Sequence, residues 1–145
     1  MSIIVEYFIA PDDATAADVL VGGPEDVFPT MSCGNFFADA AAAEWEAILL
    51  GRVAGEFEAA GGPRVVAEAG SDSLAMVFAV SSRLQTALGG ANRDALTAVA
   101  RRWIQEYGGN YPSFEPDTAC EILWELADLA RSANDQRQVL YCWMC

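Results

Sequence analysis

The sequence contains no histidine and no lysine, and these two absences exclude more classes of function than any motif supports. All eight of its basic residues are arginine. Without lysine, a Schiff-base enzyme, a pyridoxal phosphate anchor and the lysine of a P-loop are excluded. Without histidine, Ser–His and Cys–His nucleophile pairs and histidine-based metal sites are excluded.

Positive charge and long apolar runs are also scarce. Twenty-one acidic residues face eight arginines, which gives a formal net charge of −13. Because phosphate contacts need a basic surface, we expect neither nucleic acid nor an anionic membrane as a partner. No stretch approaches the roughly 20 apolar residues of a membrane helix. The first apolar run is interrupted by Glu6, and no basic segment precedes it. A signal peptide would have a basic segment followed by an unbroken apolar run. We therefore expect a soluble, cytoplasmic protein.

Cysteine is limited to four residues, which we expect to be free thiols in a reducing cytosol: Cys33, Cys120, Cys142 and Cys145. Cys142 and Cys145 form a C-x-x-C motif at the end of an apolar segment. Residues three apart on a strand point to opposite faces, so the pattern favours a structural strand. A zinc half-site and a redox pair stay open as alternatives. We expect no metal site and no cofactor.

The 145 residues are enough for one domain, and the 53% hydrophobic content is enough to form a core. Apolar patterning predicts strands at 3–10, 64–69, 73–80 and 138–144, and loops at 25–37 and 107–114. It predicts helices at 14–21 and 38–50, from Ser81–Ser82 to Leu88, after Asn92, and from Pro116 to about Ala133. We expect residues 1–145 to form a single α+β domain, with a small mixed sheet of about four strands against four or five helices.

Parts of the chain resemble known groups of proteins. The segments Val5–Ala14, Ala95–Trp103, Leu129–Arg131 and Leu140–Cys145 are similar to small uncharacterised acidic proteins of actinobacteria. More remotely, the order of a helix at 45–50, a strand-to-helix step at Ser81 and a final helix and strand is similar to the YfbM-like family. Both resemblances imply a bacterial, soluble, single-domain protein, and neither assigns a catalytic residue.

The negative charge is concentrated in the first part of the chain. Residues 1–60 hold eleven acidic residues and one arginine, whereas residues 61–145 hold ten acidic residues and seven arginines. If the first part forms one face, its field steers a basic partner. The candidate contacts are Glu44, Glu46, Glu56 and Glu58. The alternative is that these acids serve only solubility.

Four aromatic residues flank the glycines of the predicted loop at 107–114: Trp103, Tyr107, Tyr111 and Phe114. Aromatic side chains around a loop can line a ligand pocket or form an interaction hot spot. The alternative is that they fill the core beneath the loop.

Two functions are compatible with these features. The first is a non-enzymatic, acidic protein-binding module, inhibitor-like or antitoxin-like, whose partner is a basic protein. It would use the four glutamates and the aromatic loop. The alternative is a small carboxylate-based enzyme or ligand binder that uses a divalent cation, because pairs of acidic residues are numerous.

Overall fold

The fold is α+β, as the sequence predicts. The computed structural model describes residues 3–51, 64–71, 73–112 and 114–145. Those ranges contain five strands: β1 (Val5–Ala10), β2 (Thr30–Cys33), β3 (Arg64–Glu68), β4 (Met76–Ala79) and β5 (Val139–Met144). They also contain a short 3-10 turn (Gly108–Asn110) and five α-helices: α1 (Asp13–Ala17), α2 (Ala38–Leu50), α3 (Ser82–Gly90), α4 (Arg93–Tyr107) and α5 (Pro116–Asp135).

The five strands form one sheet in the order β2–β1–β5–β4–β3, and every neighbouring pair is antiparallel. The prediction of a mixed sheet of about four strands is therefore wrong in the direction and number of strands. The additional strand is β2, which lies inside the predicted loop 25–37. Its four residues are too few to show a period of two, and its strand conformation depends on pairing with β1.

Helices cover one face of the sheet, and α1 with the segment after it covers the other. Along β1, Val5, Tyr7 and Ile9 contact the larger core beneath helices α2 to α5, whereas Phe8 and Ala10 contact the smaller core beside α1. All six residues of β1 are buried. Burial on both faces explains why every residue of this strand except Glu6 has an apolar or aromatic side chain.

The predicted strand at 138–144 is confirmed as β5, which pairs with β1 from Val5↔Met144 to Ala10↔Val139. Cys142 is buried in the larger core, whereas Cys145 is exposed beyond the strand. All four cysteines are free thiols. Within the described ranges, no group of three or more Asp, Glu or Cys side chains is placed to hold a metal ion.

Helices α3 and α4 each begin directly after a residue whose side chain caps the first turn. Ser81 accepts a hydrogen bond from the N–H of Leu84 (3.1 Å), and Asn92 accepts one from Ala95 (2.8 Å). Helix α2 has the predicted bounds and ends at Gly51, whose φ of 67° is favourable for glycine. None of the helices described here is long and apolar enough to cross a membrane.

Candidate functional site

The predicted contact residues on α2 lie on the inner side of that helix. The side chains of Glu44 and Glu46 are 7% and 2% exposed. Their carboxylates are therefore not available as surface contacts. Glu56 and Glu58, the other two candidates, lie outside the described residues.

Glu44 is hydrogen-bonded to two of the predicted aromatic residues. Its Oε1 accepts a hydrogen bond from the hydroxyl of Tyr111 (2.6 Å) and one from the indole Nε1–H of Trp103 (3.3 Å). Burial raises the pKa of Glu44, and the two hydrogen bonds lower it in part. Glu44 thus anchors the aromatic cluster rather than facing solvent.

The four predicted aromatic residues pack in or against the larger core, at the end of α4 and around the 3-10 turn that lies within the predicted loop. Trp103 is fully buried. The centroid of its ring lies 5.2 Å from that of Trp45 and 4.7 Å from that of Tyr111. The ring centroid of Phe114 lies 5.9 Å from that of Trp103. Phe114 and Tyr107 are both half-buried. The packing of this cluster matches the alternative in which aromatic side chains plug the core.

A pocket of about 540 Å³ lies between the inner side of α2, the start of α3 and the β3–β4 end of the sheet. Its apolar lining is Ala42, Ala43, Phe78, Ala79, Val80, Leu84 and Val139, and its polar lining is Asp39, Glu46, Arg64, Ser81, Ser82, Gln85, Thr86 and Gln138. Its lining combines an apolar wall with the buried carboxylate of Glu46.

Glu46 is the buried carboxylate of this pocket. Its Oε1 accepts a hydrogen bond from the hydroxyl of Ser81, whose oxygen also caps α3 through Leu84. The positive end of the α3 dipole stabilises a negative charge at this place. Among the described residues, the other oxygen of Glu46 has no hydrogen-bond donor, and no arginine pairs with it.

Gln85 forms a fixed wall of the pocket. Its Nε2 donates hydrogen bonds to Asn134 Oδ1 and to the carbonyl of Gln138, both at 3.0 Å. Its Oε1 accepts one from the N–H of Leu140 (2.9 Å). Because this amide is fully used, it joins α3, α5 and β5 and is not free to bind a ligand.

Arg64 at the rim is already paired. It donates to Asp13, which also accepts a hydrogen bond from the hydroxyl of Tyr141 (2.7 Å). The hydrogen bond from Arg64, followed by that from Tyr141, lowers the pKa of Asp13. Among the described residues, Glu46 and Asp39 are the charged side chains of the pocket lining that form no ion pair, and both are acidic.

Sequence reasoning selected Glu46 but missed the rest of this site. Ser81 was recognised only as a helix cap, and Arg64 only as a strand residue. The pocket brings together α2, β3 and α3, which no local spacing connects. One usable signal was Gln85, an amide on the same face of α3 as the apolar Leu84 and Leu88.

Comparison with protein-family models, curated proteins and solved structures finds no match for this chain. The resemblances to the actinobacterial proteins and to the YfbM-like family thus stay predictions.

Proposed function

We propose that the protein binds a small organic ligand in the Glu46 pocket. The ligand has an apolar body and a cationic or hydrogen-bond-donating group, which approaches the free oxygen of Glu46. The observation that carries the proposal is a carboxylate that is 2% exposed inside a pocket of about 540 Å³ with a largely apolar wall.

The chemistry of a buried charge supports a cationic ligand group. Ser81 donates a hydrogen bond to one oxygen of Glu46. The other oxygen is not among the fully enclosed atoms without a partner, and Glu46 lines the pocket, so a ligand ammonium would bind this oxygen from inside the pocket. Pockets with apolar walls and a few convergent polar groups are the usual sites for small molecules. Asp39 adds charge of the same sign at the rim.

This proposal keeps the ligand-binding alternative from the sequence and bases it on Glu46 rather than on a divalent cation. Binding of a basic protein through Glu44 and Glu46 has less support, because both side chains are buried. We further propose that the protein acts in the cytoplasm. The four free thiols support that location, because cysteines stay unpaired in a reducing cytosol.

The proposal is tested with three probes of equal length: hexylamine, hexanol and hexanoate. A ligand that binds the native state raises the melting temperature. We expect hexylamine to raise it most, hexanol less, and hexanoate least, because Glu46 repels a carboxylate. Amide chemical shifts should change around Ala43, Ser81 and Gln85. Equal responses to the amine and the carboxylate would contradict the role of Glu46.

Two variants of α2 provide a matched control. Ala43 lines the pocket, whereas Ala40 is exposed on the same helix. We expect Ala43→Leu to reduce the response to hexylamine and Ala40→Leu to leave it unchanged. Glu46→Gln should remove the preference for the amine over hexanol. Binding that survives Ala43→Leu unchanged would overturn the proposed site.

A further inference from the structure

Strand β2 is one edge of the sheet, and alternate residues of it direct backbone groups outward. The N–H of Ile9 donates to the carbonyl of Pro29 (3.3 Å), so this opposed pair is a hydrogen-bonded one. Hydrogen-bonded and non-hydrogen-bonded pairs alternate along an antiparallel ladder. In the β1–β2 register, Thr30 and Ser32 are therefore the residues whose N–H and C=O groups point away from β1.

The two edges of the sheet differ in how they are protected. At the other edge, β3 carries the exposed charges of Arg64 and Glu68 and an irregular register between Val65 and Ala67. Charged side chains and bulges are the usual devices that prevent an edge from accepting another strand. Strand β2, with the sequence Thr-Met-Ser-Cys, has no charged side chain, and its register with β1 shows no bulge. Of the two edges, β2 is the one suited to pair with a further strand.

A buried carboxylate without a partner lies next to this edge. Glu6 of β1 is opposite Ser32 and is 8% exposed. Its Oε2 is buried and has no hydrogen-bond partner among the described residues. Burial raises the pKa of Glu6, and the negative charge of Glu25 raises it further. A cation that passed the small Ser32 side chain would pair with the carboxylate of Glu6. This would remove the free-energy cost of burying that carboxylate without a partner.

A second acidic group flanks β2 on the opposite face of the sheet. Helix α5 packs against β2. Burial raises the pKa of Cys33 in β2 to about 12, and the negative charge of Glu125 on α5 raises it further. Glu125 is exposed, as is Glu121 one turn earlier on the same side of the helix. Acidic side chains thus lie on both faces beside the unpaired edge.

We propose that β2 is a docking edge for an extended segment of a basic protein, which adds a strand to the sheet. Consecutive side chains of a strand point to opposite faces. Two adjacent lysines or arginines would therefore meet Glu6 and Glu25 on one face and Glu125 on the other. Peptide recognition by strand addition is a common mode, in which backbone hydrogen bonds give affinity and side chains give specificity. A second copy of this acidic chain would instead place like charges together.

The test uses a short acetylated peptide, Val-Thr-Lys-Lys-Thr-Val, with Val-Thr-Glu-Glu-Thr-Val as its control. We expect the lysine peptide to shift the amide resonances of Thr30 to Cys33, and the glutamate peptide to leave them unchanged. Added salt should weaken the binding. No shift at β2, equal shifts with both peptides, or shifts at β3 would overturn the proposal.

Charge variants identify the contacts. Glu125→Gln should weaken binding about two- to fivefold, as for an exposed ion pair. Glu6→Gln should weaken it about tenfold or more, as for a buried pair. Glu68→Gln, on the other edge, should have no effect. If Glu6→Gln fails to fold, the lysine peptide with N-methylated backbone amides serves instead, since it keeps the charge and loses the donors. Undiminished binding of that peptide contradicts strand addition.

Discussion

At the scale of single residues, two neighbouring carboxylates of α2 have opposite surroundings. Glu44 is held by two donors from the aromatic core. Within the part of the chain that the structure describes, Glu46 accepts a hydrogen bond only from the Ser81 hydroxyl, and it lines a pocket. Glu44 therefore has a structural role, whereas Glu46 can still bind a cationic or hydrogen-bond-donating group.

The pH dependence of stability tests the burial of Glu44. Burial raises its pKa above the ordinary value of 4.5, so the native state binds this proton more tightly than the unfolded chain. Its contribution to stability is therefore present below pH 4.5 and is lost as the pH rises through the folded pKa. Glu44→Gln keeps an acceptor oxygen but does not titrate. We expect the unfolding free energy of the wild type, minus that of the variant, to fall as the pH rises above 4.5. A difference independent of pH, measured by urea denaturation, would contradict this account.

The hydroxyl of Tyr111 is the closer of the two donors to Glu44, at 2.6 Å. We expect Tyr111→Phe to lower the free energy of unfolding by about 1–2 kcal/mol, because the buried carboxyl group loses a hydrogen bond. Tyr107→Phe, in the half-buried neighbour of the cluster, should change it by less than about 0.5 kcal/mol. Equal effects in urea denaturation would show that the bond to Glu44 is not special.

Residue type was predictable here, but orientation was not. The sequence identified Glu44 and Glu46 as notable and placed them on a helix whose bounds are confirmed. Whether a glutamate on an alanine-rich helix faces solvent depends on which side the sheet covers. Buried glutamates without a cationic partner are rare, so the general rule favoured the surface.

At the scale of the elements, α3 joins the pocket to the rest of the fold. Its first turn is capped by Ser81, and its middle is tied through Gln85 to α5 and β5. The helix is short, so its position depends on these contacts more than on its own propensity.

Two helix caps allow a matched comparison. Asn92 caps α4 at the surface. We expect Asn92→Ala to lower the free energy of unfolding by about 1 kcal/mol. Ser81→Ala removes a similar cap and also leaves Glu46 buried without its donor, so we expect about 2–3 kcal/mol. In the Glu46→Gln background the additional cost should shrink, which a double-mutant cycle measures. Equal costs for the two caps would contradict the pairing of Ser81 with Glu46.

The elements that the sequence predicted have local signals, and the one it missed has none. Helices α2 and α4 follow from a glycine stop or an asparagine cap next to an apolar stripe. Strand β5 follows from an apolar run that includes Val139, Tyr141 and Trp143. Strand β2 has only four residues between Pro29 and Gly34, and its partner β1 is distant in sequence. The pocket depends on the same kind of non-local packing.

At the scale of the whole molecule, the excess of negative charge opposes folding. Three exposed ion pairs occur within the described residues: Arg64–Asp13, Arg102–Glu106 and Arg131–Asp128. Such pairs contribute little each. With a net charge of −13, we expect the repulsion between acidic side chains to exceed the stabilisation that these three ion pairs provide.

Sodium chloride should therefore stabilise the protein. Between about 0.01 M and about 0.15 M salt, the screening length falls from about 30 Å to about 8 Å. We expect the melting temperature to rise over this range in calorimetry, and to rise less near pH 4, where part of the carboxylates are neutral. A melting temperature that falls with salt would show that attractive pairs dominate.

The pairing of β1 with β5 at the centre of the sheet has a consequence for synthesis on the ribosome. Strand β5 is translated last among the described elements, roughly ten seconds after β1 at ordinary rates of elongation. Until then the β1–β2 and β3–β4 pairs each present an apolar inner edge with no neighbour. The two halves of the sheet therefore cannot be joined before β5 has been translated, and we expect chaperones to protect the nascent chain most in the period before that.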